Sequence, residues 1–227
     1  MKLSPHDTQI RLESHRNRGY YCTGLRQWGE AAAEFAKACE LAPDDSYLWH
    51  CLAVAHIAAG DVAGHRQDCT AMMERFEKTE DRVTAGNVLQ VSVLRDDTLP
   101  DMARLLPLTR VADPIWHWGA WVHGAALYRA GGYEESVQCF ETAGKLYRPR
   151  AWDWCFLAMA HHRLGHTDEA RRCLVEAAHW IDEANREKLD EISSTRPTWG
   201  NWHERVVYPL LLHEAESLIH RTEHPTQ

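Results

Sequence analysis

No run of about 18 apolar residues occurs in this chain, so it offers no helix that could cross a bilayer. Basic residues are in deficit: 25 Lys and Arg face 33 Asp and Glu, a net charge of −8. That balance argues against a nucleic-acid partner, whose binders carry a basic face. The seven cysteines are an odd number and form no Cys-x-x-Cys pair, which argues against a disulfide framework or a thiolate metal knuckle. No His-Glu-x-x-His, Gly-x-Ser-x-Gly elbow, phosphate-cradling glycine loop or catalytic carboxylate pair is present. The opening Met1-Lys2-Leu3-Ser4-Pro5-His6-Asp7 lacks the apolar core of a secretion signal. These absences lead to the expectation of a cytosolic chain with no catalytic residues, no metal and no cofactor.

What is present is periodic. Ser46–Phe76 and Ala151–Ile181 align residue for residue: Trp49 with Trp154, Leu52 with Leu157, Ala53 with Ala158, His56 with His161 and Gly60 with Gly165. Each is preceded by a partner in the same frame. Leu12–Asp45 carries Gly19, Ala31, Phe35, Ala38 and Pro43; His117–Arg150 carries Gly124, Gly131, Tyr133, Phe140 and Ala143. Small residues suit close approach of two helices, and large ones fill the space between. Gly60, Gly131 and Gly165 stand where first helices end and a positive φ is needed. Pro43 and Pro149 follow second helices, which they cannot continue.

A step of 34 residues, as between Gly131 and Gly165, resembles the tetratricopeptide (TPR) repeat. The expected fold is therefore all-α, a TPR-like superhelix of about five helix pairs with a C-terminal capping helix. The repeats are expected at 12–45, 46–76, 81–112, 115–148 and 151–181, in one repeat domain over 11–220. A flexible lead over 1–10, a cap helix over 199–220 and a flexible tail over 221–227 complete the chain. The third pair is irregular, with Pro107 predicting a break near Leu106 and Pro209 a kink in the cap helix.

The longer strings Leu127–Val137, Phe156–His166, Gly60–Arg66, Arg75-Phe76 and Leu212–Ile219 resemble the TPR-containing C-terminal regions of large bacterial proteins that also carry Ser/Thr kinase or WD40-repeat modules. The resemblance spans about 18–220. It implies a non-enzymatic interaction module, or an accessory domain docking onto a kinase- or WD40-containing partner.

In a TPR hairpin the first helix lines a concave groove through repeat positions 2, 5, 9, 12 and 13. On this chain those positions hold Tyr47, His50, Val54 and Ile57; Trp118, Trp121, Ala125, Tyr128 and Arg129; and Trp152, Cys155, Met159, His162 and Arg163. Of these, Tyr47, His50, Trp118, Trp121, Tyr128, Arg129, Trp152, His162 and Arg163 are the candidate partner-binding residues, aromatic with cationic tips. Core packing is the competing role for Trp118, Trp121 and Trp152. Trp49 and Trp154 hold an inter-helix wedge position, where truncation to Ala is expected to cost about 3–5 kcal/mol. His161, His162 and His166 around Gly165 leave metal-dependent enzyme chemistry at this turn as a third, less favoured alternative, since His162–His166 spans a helix end and gives poor metal geometry. The acid pairs Asp44-Asp45, Glu134-Glu135 and Asp168-Glu169 suit helix starts. The expected partner is a protein or peptide, not nucleic acid or membrane.

Overall fold

A computed structural model describes residues 4–112, 117–191 and 202–223, with side chains for 4–112, 119–183 and 202–220. Among the described residues there are helices and no strand. In chain order they are α1 (Pro5–Gly24), α2 (Trp28–Leu41), α3 (Ser46–Ala58), α4 (Val62–Phe76), α5 (Arg82–Ser92), a 3-10 turn (Met102–Leu105), α6 (Leu106–Val111), α7 (His117–Arg129), α8 (Tyr133–Gly144), α9 (Ala151–Arg163), α10 (Thr167–Glu191) and α11 (Trp202–Glu223).

The chain divides into two compact units. Met1–Pro100 with Trp199–His203 makes the first; Asp101–Thr198 with Glu204–Gln227 makes the second. In the first, α2 packs on α1 and α3, and α3 packs on α4 and α5. In the second, α7 packs on α6, α8 and α9, and α10 lies along α9. The irregular third pair is shared out, α5 to the first unit and the 3-10 turn with α6 to the second. Its second member changes from 3-10 to α geometry at Leu106, with Pro107 in the first turn of α6, where its missing N–H is harmless.

Four hairpins close in one way. The N–H of Gln27, Asp61, Gly132 and His166 donates to the carbonyl of Cys22, His56, Leu127 and His161 respectively, each at 2.9 Å. This six-to-one bond is the Schellman ending, and it needs a left-handed residue just before the donor. Gly60, Gly131 and Gly165 supply it with φ of 77°, 87° and 79°. In the first hairpin Arg26 takes that place with φ 57°.

The helices of a hairpin meet where one residue is minimal and the other large. A Cβ on Gly19 would lie 2.6 Å from the Phe35 ring, and one on Gly124 2.7 Å from the Phe140 ring. At the same places α3 and α4 use Ala53 with Cys69, both fully buried. Polar bonds reinforce this crossing: Ser136 Oγ donates to Gly124 O at 2.8 Å, and His65 Nδ1 lies 3.0 Å from Ala53 O.

Two local expectations change. Residues 5–10 are helical, because Ser4 Oγ accepts the Asp7 N–H at 3.1 Å and Pro5 opens the first turn. Trp49 and Trp154 are half-buried, and Trp49 Nε1 donates to Pro43 O at 2.9 Å. Truncating them therefore removes less buried surface than a fully enclosed wedge would. The most enclosed aromatic side chains are Trp121, Phe35 and Phe156.

Candidate functional site

The first helices α7 and α9 carry the groove positions of the second unit. Trp121, Ala125, Tyr128 and Arg129 of α7 are all buried, as are Trp152, Cys155 and Met159 of α9. The covering side chains come from α11. Tyr208 packs on Trp152 with ring centroids 5.1 Å apart, and Trp152 on Trp121 at 4.9 Å. Arg129 Nη1 and Nη2 donate to Glu214 Oε1 and Oε2 at 2.5 and 2.7 Å, a bidentate pair. The Arg129 side chain is 1% exposed and that of Glu214 29%. The guanidinium also sits over Tyr128 and Phe156, 5.5 and 5.2 Å from their centroids. On α11 the inward residues are Val207, Tyr208, Leu211, Ala215 and Ile219, a helical stripe.

Trp121, Tyr128, Arg129 and Trp152, expected as groove contacts, are thus not open surface here, because α11 lies over them. The groove positions left at the surface are His162, half-buried, and Arg163, exposed, which hydrogen-bonds the Tyr128 hydroxyl. The side chain of Trp118, like Trp116 and Trp199, falls outside the described residues.

In the first unit Tyr47 is 42% exposed and stacks on His50, centroids 5.7 Å apart and planes 8° from parallel. His50 itself is buried, edge-on to His203 at 5.6 Å, so only Tyr47 of the two is open to a partner. Tyr20 of α1 completes this patch, its hydroxyl 4.0 Å from Cys51 Sγ. Tyr20 went unnoticed in the sequence, although it holds position 9 of the first repeat. The frame that located Tyr47 locates it too.

No protein-family model and no curated protein matches the sequence. Solved structures do match. TTC0263, a thermophilic TPR protein of Thermus thermophilus, superposes with a TM-score of 0.55 and 15% identity, over 80% of this chain and 97% of that one. The fold is TPR-like. MamA of MSR-1 (TM-score 0.49, 17% identity, 77% and 99% covered) and yeast Tom70 (0.44, 16%, 100% and 46%) also match.

The ionisable groups of this TPR-like scaffold are tuned by burial. Burial, with His203 beside it, pushes His50 down to about 3. Burial pushes Asp153 up to about 7, although its carboxylate accepts the Arg150 N–H at 2.7 Å at the start of α9. Cys51 is raised to about 12 and Cys139 and Cys173 to about 11, again chiefly by burial, so these thiols stay protonated. Among the described residues no three His, Cys, Asp or Glu side chains converge as a metal set. His161 and His166 bring their Nδ1 atoms to 3.2 Å, a pair of imidazoles with no third ligating group beside them among the described residues. A cavity of about 410 Å³ is lined by Tyr147, Arg148, Arg150 and Trp180. Both of its cations already face carboxylates, Arg148 with Glu183 at 3.5 Å and Arg150 with Glu204 at 3.6 Å. Among the described residues no helix is long and apolar enough to cross a membrane.

Proposed function

We propose that this chain is a non-enzymatic interaction module that binds a protein or peptide segment on the concave side of its first helices. The observation that carries the reading is the α7–α9 face. It is aromatic, holds one buried cation, and already accommodates an amphipathic helix. Aromatic and Arg anchors in desolvated surroundings are the residues that dominate protein interfaces. Burial holds the Cys51, Cys139 and Cys173 thiols protonated, which speaks against nucleophilic chemistry at them. Docking onto a kinase- or WD40-containing protein is a special case of the same reading, in which that protein supplies the segment.

The accessible anchors are Tyr47 in the first unit and Arg163 in the second, with His162 beside the latter. Affinity capture with the full chain, followed by quantitative mass spectrometry, should recover a partner that Tyr47→Ala or Arg163→Glu depletes at least tenfold. Circular dichroism must show both variants folded. Undiminished recovery with both would remove the first-helix faces as the binding surface.

A further inference from the structure

The second unit contains a device that its repeat frame does not require. A guanidinium, Arg129, is sealed among Tyr128, Phe156 and neighbouring apolar side chains, and it meets a carboxylate from α11. We infer that the α7–α9 face is a docking site for an amphipathic partner helix that carries a carboxylate at one register, and that Glu204–Ile219 of α11 is its built-in competitor.

The chemistry of the face sets the occupant. Trp121, Ala125, Trp152, Cys155 and Met159 present an apolar floor, which a stripe spaced like Val207, Leu211, Ala215 and Ile219 can cover. Arg129 cannot be left unpaired there, since a buried charge without its partner is strongly unfavourable. Any helix that replaces α11 must therefore bring an acid three residues after the residue that takes the place of Leu211, as Glu214 does. A buried ion pair adds little net stability, but it fixes register.

The resident helix is a compromised occupant. Pro209 is the eighth of its 22 residues and lies inside it, so one backbone hydrogen bond of the interior is missing. Glu214 keeps 29% of its side-chain surface in solvent, so the anchoring pair is open to exchange from one edge. A partner helix without the proline holds the same contacts with an intact ladder. This inference rests on the interaction-module reading and names the partner's chemistry.

The probe is a fluorescently labelled peptide of Trp202–Glu223 carrying Pro209→Ala, titrated into the full chain by polarisation. In the chain with Glu214→Arg, the resident helix repels Arg129 while the peptide still supplies its acid. Binding is expected to be at least tenfold tighter there than in the unaltered chain. A peptide that also carries Glu214→Arg should lose that gain. A second measurement needs no altered chain: excess peptide should speed hydrogen exchange of the Val207–Ile219 amides in the unaltered protein. Equal affinity for both chains, or unchanged exchange in the unaltered protein, overturns the proposal. Light scattering that shows a dimer with α11 exchanged between copies overturns it as well, by naming a second copy as the occupant. Failure here while Tyr47→Ala or Arg163→Glu still depletes a partner spares the module and removes only the α11 mechanism. Failure of both removes the module.

Discussion

Arg26 is the residue at which this chain departs from its own rule. Gly60, Gly131 and Gly165 end their helices with left-handed φ, and Arg26 does the same work at φ 57°. A Cβ in that region costs about 1–2 kcal/mol. Glycine also gains freedom in the unfolded chain, which returns part of that. Arg26 is exposed and its N–H bonds to Thr23 O through backbone alone, so nothing else is lost on substitution. Arg26→Gly should therefore stabilise the first unit by about 1 kcal/mol, read as an increase in urea midpoint at unchanged slope. A decrease would mean that the guanidinium makes a contact worth more than the strain. The glycines were legible because composition marks them directly. Arg26 was not, since an arginine gives no conformational signal, and only the 34-residue frame shows that it stands in a glycine's place. Glu214 was hidden for a related reason. An acid on a surface helix reads as solvated, and Arg129, at position 13 of the fourth repeat, reads as a groove contact rather than as half of an ion pair.

Between elements, the crossing of each hairpin is set by a trade in size. Gly19 meets Phe35 and Gly124 meets Phe140, whereas the same repeat positions of α3 and α4 hold Ala53 and the smaller Cys69, both buried. The pairing makes a specific prediction. Gly124→Ala places a methyl 2.7 Å from the Phe140 ring, which must shift in a packed site, at about 1–3 kcal/mol. Adding Phe140→Leu should recover part of that loss, because the partner is now smaller, as Cys69 is at that position of α4. Thermal melts of the two single variants and the double variant check this; losses that simply add would show that the two residues do not share one space. Helix pairs and their turns were readable in advance because they follow from local periodicity and glycine placement. The side on which the cap helix settles was not. Trp121 and Trp152 suit core and groove equally, and Trp152, which packs on Trp121, is covered by Tyr208, more than 50 positions later in the chain. Half-burial of Trp49 and Trp154 has the same origin: repeat position names a direction along the helix, and the neighbour that closes over it comes from elsewhere.

For the whole molecule, acid acts through two buried groups of opposite sign. His50, in the first unit, titrates at about 3 when folded and near 6.5 when unfolded. Below pH ~6.5 the unfolded chain takes a proton that the folded one refuses, so this group withdraws stability as pH falls toward 3. Asp153, in the second unit, titrates at about 7 when folded and near 3.9 when unfolded. Here the folded state holds the extra proton, so stability falls as pH rises from ~4 toward 7. Burial lowers His65, His123 and His161 as well, and these act in the direction of His50. The bond to Asp68 raises His56, whose contribution is present below pH ~6.5 and fades as pH climbs past its folded value. Because His50 and Asp153 oppose each other over much the same interval, the pH dependence of the unaltered chain conceals the share of each. Single substitutions should expose them. His50→Asn removes a loss that acid causes, so its stability should decline less between pH 7 and pH 4.5 than that of the unaltered chain. Asp153→Asn keeps an oxygen for the Arg150 N–H but removes the group that acid favours, so its stability should decline more. Urea midpoints across that range decide the matter. Two variants that tilt the curve in the same direction would mean that at least one of these groups is ordinarily solvated in the folded protein.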